Sequence, residues 1–395
     1  MNQPKTKKSG SPGLLIAAAF IGPGTVTVCT IAGANNQFQL LWVMIISILA
    51  TIFLHEIASR LGIVSKMGLA GLLRSQVNHP IIRVLLLGLV VCAIIIGNAA
   101  YEAGNISGAV LGLKVVAPLP FGGVLLGFIA GGLLWTGSHK IIEKALIVLV
   151  GIMSFSFLAT AIITQPDIIS LAKGMLLPTF EDDQLLIILA LVGTTIVPYN
   201  LFLHASIAKN HWNDSELAAA KKDTIRSVII GGIVSLCIII TAASVTESNI
   251  QNAADLALGL EPLYGAFAKY LIGIGLFAAG ITSAITAPLA AAYVAQGCFN
   301  WEDNPKHTGF RATWISILLI GTVFSSIGYK PIDIIKFAQV ANGLLLPIIA
   351  ALIIWLSSKT SILGQYTNKK STTIIGIIII LITLSLGIKS IWSAL

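Results

Sequence analysis

Charged residues are scarce in this sequence. Lys, Arg, Asp and Glu together make up 10% of its 395 residues, whereas hydrophobic residues make up 56%. A soluble domain is typically about 25% charged, so the composition excludes a soluble globular fold. Cysteine is also rare: the four residues form no C-x-x-C pair, which excludes the common structural zinc motifs and indicates small packing residues.

Sequence signals for enzymes and nucleic-acid-binding proteins are missing as well. The chain has no Gly-rich phosphate loop, no paired catalytic carboxylates and no His-Glu-x-x-His motif, so no enzymatic activity is predicted. It also has no basic domain that could bind nucleic acid. The remaining classes are membrane classes, and the lipid bilayer is the expected partner; protein partners cannot be inferred from the sequence.

Long apolar windows predict an all-α integral membrane protein. Windows of about 20 residues define eleven spans, whose approximate limits are 13–34, 40–60, 81–104, 120–137, 141–163, 185–209, 225–246, 262–298, 311–328, 331–356 and 372–394.

Basic residues predict the orientation of these spans. Of the 24 Lys and Arg residues, all but six lie in segments on the side of the N-terminus. The six exceptions are Lys114, Lys173, Lys269, Lys330, Lys336 and Lys389. The positive-inside rule therefore places the N-terminus in the cytoplasm and the C-terminus outside a plasma or inner membrane.

Two of the predicted spans are interrupted near their middle. Span one contains Gly22-Pro23-Gly24-Thr25, and span six contains Val197-Pro198-Tyr199-Asn200. Proline removes an amide donor and glycine loosens the backbone. Such breaks are tolerated in a bilayer only where the freed backbone lines a cavity or is buried in protein. Paired breaks at corresponding places in two halves indicate a transporter with its substrate at the midplane, in preference to a channel, a scaffold protein or two simple kinks.

These motifs resemble a known family. The run Val-Pro-Tyr-Asn-Leu-Phe-Leu-His at 197–204 resembles the Met-Pro-His-Asn-Leu-Tyr-Leu-His motif of the Nramp divalent-metal transporters, and Gly-Pro-Gly-Thr at 22–25 is similar to their Asp-Pro-Gly-Asn. The stretches 58–64 and 275–283 also look like landmarks of that family. The resemblance implies a LeuT-type fold with five-plus-five inverted repeats, an eleventh helix, and spans one and six unwound at the midplane.

The resemblance also implies a division of the chain. A cytoplasmic tail, 1–12, precedes a first repeat, 13–163, and an extracellular loop, 164–184, leads to the second repeat, 185–356. Span eleven, 372–394, follows.

The chain departs from the family at its metal ligands. The family coordinates its metal with the Asp and Asn of the first motif and the Met of the second, and these positions are Gly22, Thr25 and Val197 here. The first motif histidine, which the family links to proton movement, is Tyr199. No metal site is therefore predicted from these side chains, because a dehydrated transition metal normally needs anionic or soft ligands.

The lost carboxylate leads to an expectation about substrate. Two half-helix N-termini that converge carry about one positive charge together, so the site is expected to hold a small anion, bicarbonate first. A divalent cation such as Mn²⁺ or Mg²⁺, coupled to H⁺ and held by carbonyls and water, is the alternative, and an amino acid ranks third. The predicted substrate site consists of Gly22, Pro23, Gly24, Thr25, Thr194, Thr195, Val197, Tyr199, Gln339 and Asn342.

Coupling residues are predicted beside this site. Thr282, Ser283 and Thr286 in span eight could hold Na⁺ as a coupling ion or could simply bond within their helix. No cofactor is expected. Glu102 and His204 could relay protons or form structural hydrogen bonds.

A second cluster of ionisable residues lies at the predicted cytoplasmic end of span two. His55 and Glu56 precede Arg60 there, and an ion-pair network of the three side chains is expected in preference to a proton path.

Overall fold

The computed structural model describes residues 12–13, 20–117, 119–136, 140–179, 181–244, 250–302 and 304–394, without the side chains of 140–143, 391 and 393–394. These residues are almost entirely helical, and no β-strand occurs among them. The helices are α1 (Pro23–Asn36), α2 (Leu41–Ser65), α3 (Leu69–Gln76), α4 (Pro80–Val116), α5 (Gly122–Thr136), α6 (Lys140–Ile163), α7 (Ile168–Leu176), α8 (Leu185–Thr195), α9 (Pro198–His211), α10 (Leu217–Ala242), α11 (Ala253–Ala257), α12 (Glu261–Tyr264), α13 (Ala268–Phe299), α14 (Thr308–Ser326), α15 (Pro331–Ser357), α16 (Thr360–Leu363) and α17 (Lys370–Ala394).

Short 3₁₀ turns complete the secondary structure at several helix boundaries. They are Asp182–Gln184, Asp214–Glu216, Leu258–Leu260, Gly265–Phe267 and Gly364–Tyr366.

The helices coincide with the predicted spans. Within the described ranges, nine helical segments are long and apolar enough to cross a membrane, and they fall on spans two, three and five to eleven. Span four is the shorter helix α5, of 15 residues. Residues 14–19 of span one and 1–11 of the predicted tail lie outside the described residues.

Proline begins helices here more often than it interrupts them. Pro23, Pro80, Pro198 and Pro331 each occupy the first turn of a helix, where the missing amide hydrogen would have had no helical partner. The prolines of both sequence breaks are therefore start signals for the second half-helices α1 and α9.

Small residues allow the central helices to pack backbone to backbone. A Cβ added at Gly112 of α4 would collide with the carbonyl oxygen of Gly273 on α13, and one at Gly280 would lie 2.7 Å from Ala109 and from the carbonyl oxygen of Asn105. Such close approach through small residues is the usual way in which helices associate in a bilayer. Helices α4 and α13 form the scaffold on which both breaks rest.

Large apolar side chains cover the outside of the bundle. Phe128 on α5, Phe155 on α6 and Leu381 on α17 are more than half exposed, whereas the polar side chains of the bundle centre are buried. This inverted distribution matches a surface that faces lipid.

Candidate functional site

The first break lies between Phe20 and Pro23. Ile21 and Gly22 are not helical, and Gly22 has an extended backbone (φ −88°, ψ 174°). The hydroxyl of Thr25, two residues into α1, donates to the carbonyl oxygen of Phe20 at 2.5 Å. Thr25 thereby ties the two sides of the break together.

The second break separates α8 from α9. Helix α8 ends at Thr195, Ile196 and Val197 leave the helical conformation, and α9 begins at Pro198. The Thr195 hydroxyl donates back to the carbonyl oxygen of Leu191 at 2.6 Å.

The two breaks adjoin in the interior. The hydroxyl oxygens of Thr25 and Thr194 are 2.9 Å apart, and both side chains are buried. Residues 169 positions apart in the chain are thus brought into hydrogen-bond contact, as the pairing of the breaks predicts.

Gln339 of α15 lies against both breaks. A Cβ at Gly24 would collide with the Gln339 side-chain amide, and one at Gly193 would collide with the Gln339 carbonyl oxygen. Glycine at these positions therefore lets α15 approach. Within the described part of the chain, Gln339 Oε1 and Asn342 Nδ2 are buried and have no hydrogen-bond partner.

The other side of the first break is lined by hydroxyl groups. A Cβ at Gly22 would lie 3.5 Å from Ser283 Oγ and 3.6 Å from the Tyr101 hydroxyl, which is ordinary contact. The ring of Tyr101 packs edge to face on Tyr199, with centroids 5.3 Å apart. Tyr101 therefore contacts one break and reaches the other.

Tyr101 is not among the residues that the sequence predicts for the site. The signal was present, since Asn98, Tyr101, Glu102 and Asn105 follow one another at helical spacing in an apolar span, which indicates one polar face. Asn200 was also left out of the predicted site, although its Oδ1 is buried and unpartnered among the described residues.

The three residues predicted to hold a coupling ion differ in what their hydroxyl groups contact. The hydroxyls of Thr282 and Thr286 donate within α13, to the carbonyl oxygens of Ala278 and Thr282. Ser283 is buried beside Gly22. Only Ser283 of the three thus contacts a break.

Glu102 and His204, the two residues predicted to relay protons, contact different partners. Glu102 Oε2 accepts a hydrogen bond from Asn105 Nδ2 at 3.2 Å, while its Oε1 has no partner in the described chain. His204 contacts His55 of α2, with 3.1 Å between their Nδ1 atoms. The expected network at the end of span two is therefore only partly present: Glu56 pairs with Arg60 at 3.2 Å, but His55 points to His204.

Most possible metal-ligand atoms around the breaks are oxygens, and the sulfur of Met44 lies 3.6 Å from Thr195 Oγ1. Side-chain oxygens come from Asn200, Gln339, Thr25 and Thr194, and no group of three or more His, Cys, Asp or Glu among the described residues could hold a metal ion. Amide, hydroxyl and carbonyl oxygens suit hard cations better than soft ones.

A cavity of about 580 Å³ opens at the ends of α1, α8 and α15 that are predicted to face outward. Its lining includes Asn35, Asp183, Ala190, Asp333 and Val340. Val340 follows Gln339 directly, so the cavity ends close to the two breaks.

Solved structures show the fold. The manganese transporter of Eremococcus coleocola superimposes with a TM-score of 0.79 at 23% identity, covering 97% of this chain and 86% of that one. Mhp1, a nucleobase-cation-symport-1 family transporter, and MhsT in complex with L-phenylalanine give TM-scores of 0.59 and 0.58 at 14% and 17% identity. Mhp1 covers 97% of this chain and 90% of its own length, and MhsT 98% and 100%. The chain has the all-α LeuT-type fold with spans one and six unwound.

Curated relatives cover nearly the whole chain. The divalent metal cation transporter MntH of Yersinia pestis (strain Pestoides F) is 26% identical over 394 residues, which span 95% of this chain and 92% of the relative. MntH of Verminephrobacter eiseniae is 26% identical over 371 residues, spanning 91% and 83%.

These names contradict the prediction that the substrate is a small anion such as bicarbonate. The relatives are named for divalent metal cations and manganese, so the anion prediction is wrong. Its physical fault lies in counting only helix N-termini, although each break is also the C-terminus of a half-helix and carries the opposite partial charge. The Thr25 hydroxyl and the backbone amide of Asn200 already donate to the carbonyl oxygens of Phe20 and Val197. The buried side-chain oxygens of Asn200 and Gln339 have no partner among the described residues.

The family follows from the extent of the match. The model of the family described as "Natural resistance-associated macrophage protein-like" matches residues 13–393, so it includes both breaks and every described membrane-spanning helix. The chain is a multi-pass membrane transporter and belongs to the Nramp family.

Proposed function

We propose that this protein is a secondary active transporter that carries a divalent metal cation of the Mn²⁺ or Mg²⁺ kind by alternating access, coupled to H⁺. It is proposed as a carrier and not as an enzyme. The relatives named as divalent metal cation transporters support the substrate class.

One observation carries the proposal. Asn200 Oδ1 and Gln339 Oε1 are buried oxygens beside the two breaks, and neither has a hydrogen-bond partner in the described chain. A buried acceptor without a partner is costly, and a hard cation satisfies such oxygens directly or through a retained water.

The possible ligand atoms of the site favour a hard, partly hydrated cation. Gly22, Thr25 and Val197 supply neither the carboxylate nor the thioether of the family motif, so the site offers only neutral ligands. Mg²⁺ keeps several waters when it binds, and neutral oxygens can accept hydrogen bonds from those waters. We propose a partly hydrated ion in contact with Gly22–Thr25, Thr194, Thr195, Val197, Tyr199, Gln339 and Asn342.

Orientation and coupling belong to the same proposal. The N-terminus lies in the cytoplasm and the C-terminus outside a plasma or inner membrane, which makes the cavity between α1, α8 and α15 the outer access route. Glu102 and His204 are the proton-carrying candidates. Na⁺ remains the alternative coupling ion, and Ser283 is then its ligand, since that hydroxyl lies next to Gly22.

Divalent-cation uptake into proteoliposomes tests the proposal. Wild-type protein should accumulate Mn²⁺ or Mg²⁺ under an inside-negative potential, which contributes about 4.6 kcal/mol per 100 mV for two charges. Gln339→Leu removes one oxygen at nearly constant volume and should lower the uptake efficiency at least about tenfold, the equivalent of one lost ligand bond. Gln365→Leu, the same change at an exposed residue, is the control and should not alter uptake.

The result that would contradict the proposal is equally definite. Vesicles with correctly folded wild-type protein that admit neither cation would exclude a divalent-metal carrier. Replacing Na⁺ by N-methylglucamine outside separates the coupling ions: uptake that persists and follows a pH gradient supports H⁺, and uptake that stops supports Na⁺.

A further inference from the structure

A buried histidine pair joins α9, the half-helix that follows the second break, to α2. His55 on α2 and His204 on α9 are 1% and 3% exposed, and their Nδ1 atoms are 3.1 Å apart. At this distance one ring must donate its Nδ1 hydrogen and the other must accept it. The two neutral rings therefore hold opposite tautomers, and each presents its Nε2 on the side away from the shared bond.

A row of polar side chains on α2 passes through this pair. Ser47, Thr51, His55 and Ser59 recur every four residues and are all buried, so they share one face of the helix. Thr51 Oγ1 donates to the carbonyl oxygen of Ser47 at 2.7 Å and also lies 3.4 Å from the carbonyl oxygen of Thr195, where α8 ends. The row thus extends from the second break past the histidine pair toward Ser59.

The hydroxyls at both ends of this row have free bonding capacity. Ser47 Oγ and Ser59 Oγ are buried and have no hydrogen-bond partner within the described ranges. A buried hydroxyl is normally satisfied by protein or by an ordered water. An ionisable residue in a membrane span, such as His55 in this row, commonly faces a water-filled cavity or a proton path.

Two carboxylates lie near the histidine pair. Asp223 on α10 acts electrostatically on His204, and Glu56 bonds to Arg60 on the other side of α2. Among the described residues neither imidazole bonds to a charged group. The other charged residues on α9 and on the elements packed against the two helices are Arg74 on α3; Arg83, Glu102 and Lys114 on α4; Lys173 on α7; Lys209 on α9; Lys221, Lys222 and Arg226 on α10; Lys269 on α13; and Asp333 and Lys336 on α15.

We propose that His55 and His204 form a two-histidine proton relay, and that the polar row of α2 connects it to the second break. This inference rests on the proposed H⁺-coupled transport. One proton enters at Nε2 of the donor ring, the Nδ1 proton crosses to Nδ1 of the acceptor ring, and one proton leaves from the Nε2 of that ring. One proton enters and one leaves in each passage, and no other reactant is needed. The two tautomers have then exchanged; because the reverse transfer would carry the proton back, the rings return to their first tautomers by each exchanging one proton with water when α2 and α9 separate during the transport cycle. His55 is then a proton-carrying residue that the relay requires as much as His204.

Simultaneous measurement of metal and proton entry tests the relay. The full chain is reconstituted with an internal pH dye and a Mn²⁺ dye, and H⁺ entering per Mn²⁺ is compared among wild type, His55→Asn, His204→Asn and the double variant. Asparagine places an amide near the position of Nδ1, so the contact is kept while titration is removed. His79→Asn, at an exposed residue before α4, is the matched control.

The relay predicts a specific pattern. Either asparagine variant should lose at least about tenfold in H⁺ entry per Mn²⁺, at the low end of what a positioned acid–base group contributes. The double variant should be no worse than the single ones, because residues that act as a unit are not additive. Mn²⁺ entry driven by membrane potential should persist in all of them. Wild-type Mn²⁺ uptake should rise as the outer pH falls, and this dependence should be flat in the variants.

Other outcomes would overturn the relay. His55→Asn with the wild-type H⁺ to Mn²⁺ ratio excludes it, as does wild-type Mn²⁺ uptake without H⁺ entry, and both leave divalent-cation transport intact. Wild-type protein that carries no divalent cation overturns the proposed function and the relay together. If the asparagine variants do not fold, judged by size-exclusion elution, His55→Gln and His204→Gln repeat the comparison, and the wild-type ratio by itself still decides whether protons enter.

Discussion

Gly22 is the residue at which this chain differs most sharply from the motif it resembles. The motif has an aspartate there, and the glycine leaves a space bounded by Ser283 Oγ at 3.5 Å and the Tyr101 hydroxyl at 3.6 Å from an added Cβ. Gly24, two residues later, has no such space because Gln339 fills it. The site can therefore accept a side chain at 22 but not at 24.

Gly22→Asp should convert the site into a tighter one for transition metals. A carboxylate at the first break adds the anionic ligand that a dehydrated cation requires. We expect the Mn²⁺ dissociation constant to fall at least tenfold, which is about 1.4 kcal/mol, and to fall further when Val197→Met adds a thioether. Calorimetry on purified protein measures this affinity.

The control for this prediction is Gly22→Asn, which has nearly the same size without the charge. An asparagine variant that tightens Mn²⁺ as much as the aspartate would show that shape, and not charge, limits binding. Unchanged affinity in Gly22→Asp would mean that position 22 does not face the ion.

At the scale of helices, the sequence predicts which membrane spans exist better than it predicts where each helix begins and ends. Apolar runs and proline positions place nearly every span correctly, because length and hydrophobicity alone decide what can cross a bilayer. The same reasoning does not indicate which face of α4 is inward, so Tyr101 was missed. Nor does it show that His55 turns to His204 instead of to Arg60, since that depends on how α2 and α9 cross.

The packing of α4 on α13 gives a prediction for a single methyl group. Gly280→Ala places a Cβ 2.7 Å from Ala109 and from the Asn105 carbonyl oxygen, so the two helices must separate. We expect a loss of about 1–3 kcal/mol in stability, as for other overpacked sites, and a lower midpoint of thermal unfolding in detergent.

Gly88→Ala is the matched control on α4. No atom lies within 4 Å of a Cβ added there, so the change should be neutral or should stabilise the helix by up to about 1 kcal/mol through propensity. Equal midpoints for the two variants would show that α4 and α13 are not in backbone contact.

At the scale of the whole molecule, a cavity lies on the side of the described structure that is predicted to face outward. The cavity of about 580 Å³ lies at the ends of α1, α8 and α15 that are predicted to face outward, and Thr25, Thr194 and Gln339 are buried. Gln184 donates from Nε2 to Asn36 Oδ1 at 2.9 Å and to Gln39 Oε1 at 3.0 Å. These bonds tie the end of α1 to the start of α8, so both half-helices are expected to move as one unit during alternating access.

Cysteine labelling checks whether this cavity is the outer access route. Val340→Cys, in the cavity wall next to Gln339, should react with a charged, membrane-impermeant thiol reagent added outside, and bound Mn²⁺ should slow the reaction. Val148→Cys, which is 60% exposed on α6 and faces lipid, should not react, because the reagent attacks a thiolate that forms only in water. Labelling of Val340→Cys solely from the N-terminal side would reverse the proposed orientation, and equal labelling from both sides would indicate a channel instead of a carrier.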